Sequence, residues 1–349
     1  MPYFYIMKFK IAIVSLILIV SLNAIPAHQI SHPSLFHPEC NSINEKTIRI
    51  ALYDSISPSV NQMEEALNYE WDGQSMHYKM VVERVDSSEV VGGKLNTDNY
   101  DILFVGASGR QYFQGITERW KGAIKNFISS GGGYVGICGG ANIVSMGIEH
   151  PRYFLDRVIN KAVLGIVPVY LNDDQDEEWQ YLWKDTGKDH IPVKVSIKKD
   201  SIIFSGYGNE SIYITYGGGA GMYPAGKGNF TPIAFFEEEP MEVAPLHYYR
   251  WNGEIVANVT TDIKGQIAGI EASYGNGKII IFSPHPEIPP MMNGSIREFF
   301  GFSIYGIPRY VYEWEGGEQT DLDYNWWILR RSAAVVAGVP EEDLPPVRR

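Results

Sequence analysis

Apolar residues along the chain fall alternately into short continuous runs and into helical spacing. Ile48 to Tyr53, Tyr78 to Val85 and Tyr100 to Val105 predict strands, whereas Pro58 to Tyr69 and Thr117 to Ser129 carry apolar residues three and four apart and predict helices. The stretch Gly131-Gly132-Gly133-Tyr134-Val135-Gly136-Ile137-Cys138-Gly139-Gly140-Ala141-Asn142 predicts a buried strand that turns straight into a helix, with Cys138 on the corner. Further on, Ala162 to Tyr170, Pro192 to Ile197, Ile212 to Tyr216, Thr231 to Phe236, Ile255 to Val259, Ile267 to Glu271 and Lys278 to Phe282 predict strands. Ser295 to Phe300 predicts a helix, and so does Thr320 to about Ala337, stopped by Gly338 and Pro340. The Asn-Gly of Tyr274-Gly275-Asn276-Gly277 predicts a hairpin. Alternating strands and helices imply right-handed crossovers and a mostly parallel sheet, so an α/β fold is expected, with antiparallel additions in the second half and ligands at the carboxyl ends of the strands.

Composition adds boundaries to this picture. A chain of 349 residues, 45% apolar and 20% charged, suffices for one large globular domain with appendages. Lys8 and Lys10 precede the apolar run Ile11 to Leu22 and a small-residue site near Ala24 to Ala27, so residues 1–27 read as a signal peptide or a membrane anchor and the domain is expected outside the cytoplasm. The run falls short of the ~20 residues of a full span, which leaves cleavage and retention both open. Residues 28–45 read as a tether, 46–305 as the main domain and 306–349 as a C-terminal helical extension whose Trp326, Trp327, Leu329 and Val335 cover that domain. Neither His28, His32 and His37 nor the acidic residues Asp173, Asp174, Asp176 and Glu177 have metal-ligand spacing, so no metal site is expected. The net charge of -12 argues against nucleic acid or an anionic membrane as partner. Two cysteines permit one disulfide, Cys40 to Cys138, which would block the corner thiol. Sequons at Asn209, Asn229, Asn258 and Asn293 are compatible with glycosylation.

The corner carries the candidate chemistry. Gly136, Gly139 and Gly140 suit a sharp strand-to-helix turn, and the first helical N–H groups would favour a thiolate at Cys138 and later hold an oxyanion. A buried structural cysteine is the competing reading. Ser283-Pro284-His285-Pro286-Glu287 follows the Lys278 to Phe282 strand and places His285 as a general base, with Glu287 able to fix its tautomer. Gly106, Ala107, Ser108 and Gly109 end another strand; their backbone N–H groups, with that of Gly139, are candidate oxyanion donors, and Ser108 is a candidate substrate contact. Tyr216, Gly217 and Gly218 are a candidate substrate wall. A plain turn is the competing reading for the first loop and a flexible hairpin tip for the second.

At these residues the chain resembles a family. Gly136-Ile137-Cys138-Gly139-Gly140 and Pro284-His285-Pro286-Glu287 are similar to the class I glutamine amidotransferase-like fold, whose triad is Cys, His and Glu. Ile124-Lys125-Asn126-Phe127-Ile128, Tyr216-Gly217-Gly218-Gly219 and Gly277-Lys278 narrow the likeness to the biotin-protein ligase N-terminal-like domain, over roughly residues 46 to 305. Two departures stand out: the usual Pro-Gly-Gly oxyanion loop is Val105-Gly106-Ala107-Ser108-Gly109 here, and no ligase domain follows. The resemblance implies acyl transfer through a Cys138 thioester without metal or organic cofactor. Hydrolysis of a small amide or γ-glutamyl substrate is the first expectation; a non-catalytic binding module and an ammonia-donating subunit are the alternatives.

Overall fold

Strand β1 (Asn44–Tyr53) shows why the molecule is built around a sheet covered on both faces. Its Ile48, Ile50 and Leu52 enter one apolar cluster and its Ala51 and Tyr53 another, because successive strand residues point to opposite sides. The computed structural model describes residues 44–347, apart from 56, 75, 108–109, 153, 173–190, 244–245, 250–254, 260, 303–307 and 316–323. After β1 come helix α1 (Pro58–Leu67), strands β2 (Glu70–Asp72) and β3 (Met76–Val85), helix α2 (Ser87–Val91) and strand β4 (Ile102–Val105). Helices α3 (Arg110–Gly115) and α4 (Glu118–Ser129), strand β5 (Gly133–Ile137) and helices α5 (Gly139–Val144) and α6 (Phe154–Ala162) complete the first half. The second half runs through β6 (Val169–Leu171), β7 (Ile191–Ile197), β8 (Ser211–Tyr216), β9 (Met222–Pro224), β10 (Phe230–Phe236) and helix α7 (Pro240–Val243). Strands β11 (Leu246–Tyr249), β12 (Ile255–Val259), β13 (Ile267–Tyr274), β14 (Gly277–Phe282), β15 (Ser295–Phe302) and β16 (Pro308–Glu315) precede helix α8 (Trp326–Val336).

Among the described residues the main sheet has 12 strands in the order β2-β3-β1-β4-β5-β14-β13-β10-β7-β8, with β9 joined to β13 and β6 to β9. Neighbours from β3 through β1, β4 and β5 to β14 are parallel. The remaining pairs are antiparallel. The expected α/β architecture is therefore present, mostly parallel in the first half and with antiparallel strands in the second. A separate antiparallel sheet of four strands runs β12-β11-β16-β15.

Local chemistry accounts for the helices. Ser57 caps α1 by accepting from the Ser59 N–H, and Pro58 opens the helix. Asp86 and Glu89 form a capping box on α2. In α4 the residues Trp120, Ile124, Phe127 and Ile128 repeat at helical spacing and are buried. Helix α8 is buried along its whole length against α1, β5 and β14. The Arg330 Nε donates to the Ala66 carbonyl while its guanidinium lies 4.1 Å from the Tyr69 ring centroid. Among the described residues no helix is long and apolar enough to cross a membrane; residues 1–27 lie outside them.

Several sequence expectations are corrected. Ala162 to Tyr170 is not one strand: Ala162 ends α6, and only Val169–Leu171 is extended. Its apolar run is shared between the buried face of a helix (Val158, Ile159, Ala162) and a buried turn (Leu164, Val167), which continuity alone does not separate. Ser295 to Phe300 is strand, not helix: β15 pairs with β16 from Ser295 opposite Glu315 to Phe302 opposite Pro308. Pairing decided this segment, which is rich in the aromatic and β-branched residues that suit strands. The presence of β16 also means that the segment after residue 305 is not helical throughout. Ile255–Val259 is a strand, but of the smaller sheet. The hairpin between β13 and β14 has Gly275-Asn276 as its loop, with Gly275 at φ 58 and Gly277 paired to Tyr274, so Gly-Asn rather than Asn-Gly makes the turn. The acidic loop from Asp173 and the helix opening at Thr320 to Asp323 lie outside the described residues; α8 is described from Trp326 and ends before Gly338, whose φ is +73.

Candidate active site

Strand β5 is buried at every position between β4 and β14, so its carboxyl end is held on both sides. The chain leaves it through Cys138, which has φ 51 and ψ -109, a conformation that costs a non-glycine residue about 1–3 kcal/mol. Neighbouring hydrogen bonds impose it: the Cys138 N–H donates to the Phe282 carbonyl at 2.8 Å, and the Asn142 N–H donates to the Cys138 carbonyl at 2.9 Å. Glycines make the turn possible. A Cβ on Gly136 would lie 2.5 Å from the Gly140 carbonyl oxygen, and one on Gly140 would overlap the Val105 carbonyl. Gly139 opens α5 and is buried, and the Tyr134 hydroxyl donates to the Gly140 carbonyl at 2.7 Å. Cys138 is a free thiol, 4% exposed.

Next to β5, strand β14 delivers His285. Its N–H donates to the Thr215 carbonyl at 2.7 Å, which ties the residue to β8. The buried imidazole meets Glu287 through Nδ1 and Oε1 at 2.7 Å. Glu287 is itself held at several atoms: the Ser59 hydroxyl donates to the same Oε1 at 2.6 Å, and the Trp326 indole N–H donates to the Glu287 carbonyl at 2.8 Å. Burial alone would lower the His285 pKa, but the Glu287 carboxylate, and after it Cys138, raise it well above the ordinary imidazole value. Cys138 thus lies close enough to act on the ring through its charge and through a loose hydrogen bond, while the buried Nε2 has no partner at full hydrogen-bond geometry.

Loss of the Ser59 hydroxyl is therefore expected to be felt. Ser59→Ala removes a donor to a buried carboxylate and should cost roughly 1.5–3 kcal/mol, read as a lower urea midpoint at unchanged slope. A midpoint equal to that of the parent protein would show that the hydroxyl does not support Glu287.

Other residues singled out in the sequence are distributed as follows. A Cβ at Gly217 would lie 3.1 Å from His285 Nε2, so this backbone lies against the ring because no side chain intervenes; Gly218 follows at φ +87. The Tyr216 ring packs edge-on against Phe236 in the core, with centroids 5.9 Å apart. A Cβ at Gly106 would come 3.5 Å from the Ser59 Oγ, and the Gly106 carbonyl accepts from the Gln111 Nε2 at 3.2 Å. Ala107 packs partly buried against the core, while Ser108 and Gly109 lie outside the described residues. Three side chains near the corner went unnoticed in the sequence: Ser59, Tyr112 and Asn142. The Asn142 Nδ2 donates to the Tyr112 hydroxyl at 2.9 Å; burial, then the nearby Cys138, pushes the Tyr112 pKa up. Asn142 could have been found from its place one helical turn after Cys138, and Ser59 from its place just past the carboxyl end of β1.

The fold is that of an α/β protein, with a parallel sheet core and a sharp strand-to-helix corner at Cys138. Within that class, the chain belongs to the biotin-protein ligase N-terminal family, whose sequence pattern matches residues 59–299. Among solved structures it is similar to a cytoplasmic protein of Salmonella typhimurium, at 13% identity and TM-score 0.38 over 68% of this chain and 87% of that one. It is similar also to a ThuA-like protein of Parabacteroides merdae, at 12% identity and TM-score 0.39 over 84% and 91%. A β-galactosidase of Bacillus circulans matches at 10% identity and TM-score 0.34 over 72% of this chain; that match spans 33% of the galactosidase. No curated protein sequence matches the chain.

Proposed function

We propose that the chain is a cysteine-dependent hydrolase of a small amide or γ-glutamyl bond, with Cys138 as nucleophile, His285 as base and Glu287 as its orienting partner, acting outside the cytoplasm at the end of the 1–27 leader. The observation that carries the reading is the buried 2.7 Å contact between His285 Nδ1 and Glu287 Oε1, on a ring that has Cys138 in its field. In this reading Nε2 takes the Cys138 proton and the thiolate attacks the amide carbon. Backbone N–H groups of Gly139 and of the Gly106 to Gly109 loop hold the oxyanion, and the imidazolium returns the proton to the departing amine. Water then cleaves the thioester, with His285 as base. A raised histidine pKa supports the scheme, because a protonated ring beside the Cys138 sulfur is what the chemistry requires. The chemistry needs neither a metal nor an organic cofactor.

The test is the rate of Cys138 alkylation by iodoacetamide against pH. Rapid alkylation at about pH 6–7, falling at least tenfold in His285→Ala, is expected. A rate that follows an ordinary thiol, with a pKa of ~8.5, and that ignores the substitution would sink the enzyme reading. The 4% and 5% exposure of Cys138 and His285 favours a second reading, a binding module that keeps the fold without turnover. Such a module has no need of an ionised thiol near neutral pH, so the same titration separates the two.

A further inference from the structure

The net charge of -12 conceals a segment of opposite sign. Between Arg110 and Gly165 there are seven Lys and Arg against three Asp and Glu, a surplus of four positive charges in an otherwise acidic chain. The same segment holds four of the six large apolar side chains left exposed among the described residues: Phe113 at 64%, Ile116 at 43%, Met146 at 42% and Phe154 at 74%. Elsewhere among the described residues such side chains are buried or, as with Val81 and Val91, singly exposed, which needs no explanation.

These residues lie on connected elements. Helices α3 and α6 pack against each other, and a Cβ on Gly115 would lie 2.6 Å from the Ala162 carbonyl oxygen. The Asn160 amide in α6 accepts from the Ile148 N–H at 2.7 Å and donates to the Ile148 carbonyl at 2.8 Å, which joins the turn carrying Met146 to that helix. On α6 the buried side is Val158, Ile159 and Ala162, while Phe154, Arg157 and Lys161 share the exposed side at spacings of three and four. Ile116 is followed three residues later by the exposed Arg119. An aromatic side chain in line with Arg157 and Lys161 on one face of α6, with Phe113 on the packed helix α3 and Ile116 and Met146 in adjoining turns, suits an interface between water and anionic lipid: the apolar side chains enter the headgroup region and the cations meet the phosphates.

We infer that the α3–α6 face docks on an anionic lipid surface, in a reversible contact separate from whatever the 1–27 segment does. The sequence expectation that net charge excludes such a surface treated the charge as uniform, and its segregation between segments removes that objection. Because the attraction is largely Coulombic, it weakens as salt shortens the screening length.

Hydrogen exchange of the full chain with phosphatidylcholine vesicles, with and without about one part in four phosphatidylglycerol, tests this, because protection is read peptide by peptide and so apart from residues 1–27. Peptides covering 110–116 and 154–162 are expected to exchange about tenfold slower with the anionic lipid, and this protection should disappear in Phe154→Ser and in the double variant Arg157→Glu, Lys161→Glu. Both alter exposed positions, and unchanged exchange in the β1 and β5 peptides would show that the fold is kept. Equal exchange of the two helices in both vesicles overturns the inference. So does protection that appears on concentrating the protein without lipid, which would assign the face to a second copy.

Discussion

Gly140→Ala is expected to be among the most destabilising single changes in the protein. The new methyl group would overlap the Val105 carbonyl, and both atoms are tied to backbone that no rotamer change can move. Val105 ends β4, whose register is locked to Gly136 of β5, and Gly140 sits in the first turn of α5. Relief therefore requires parting α5 from the sheet at the point where α5 and β5 meet through Cys138. Overpacking of this kind costs roughly 1–3 kcal/mol in yielding cores and more where backbone must separate; set against a typical total of 5–15 kcal/mol, a loss of at least ~3 kcal/mol is expected. Gly122→Ala is the control. It lies inside α4 with open space around the added Cβ, so it should stabilise by about 0.5–1 kcal/mol through helix propensity. Urea midpoints of the two variants should move in opposite directions, and a Gly140→Ala protein within 1 kcal/mol of the parent, roughly the natural scatter of point mutations, would refute this account of the corner.

How much of this was legible beforehand depended on whether the deciding force was local. The strand ends that form the site follow from continuous apolar runs between helical patterns, and Cys138, His285 and Glu287 follow from where those runs stop. By contrast, β15 was read as a helix because its assignment rests on pairing with β16, which the residues of β15 taken alone do not show. The Ala162 to Tyr170 run was read as a strand because a buried helix end and a buried turn together look as apolar as a strand does. Ser59 escaped notice for a different reason. Its role exists only across 228 positions of sequence separation, where α1 and the segment after β14 meet. The docking face was hidden by averaging, since a whole-chain charge cannot show that positive residues gather in the segment between Arg110 and Gly165.

Glu287→Ala should expose the electrostatic balance of the site. In the parent protein the His285 pKa is raised, so protonated His285 contributes stability that is fully present below about pH 6.5, the unfolded value, and is lost as pH rises through the higher native value. Removing Glu287 leaves burial opposed by Cys138 alone, and the native pKa falls. The difference in stability between parent and variant must then grow as pH is lowered from the raised native value of the parent. Two costs combine at the acid end: a buried imidazolium without its carboxylate, about 3–5 kcal/mol for such pairs, and a Ser59 hydroxyl left without its acceptor. At alkaline pH the ring is neutral in both proteins and only the lost hydrogen bonds remain, roughly 1–3 kcal/mol. Glu287→Gln keeps the shape and one acceptor but removes the charge, so it should show the pH-dependent part with a smaller constant part. Urea midpoints at a series of pH values for the three proteins measure this directly. A Glu287→Ala penalty that stays constant across the range would mean that the carboxylate serves as a hydrogen-bonded spacer and does not hold a charge on His285; the imidazolium that the thiolate chemistry requires would then lose its support.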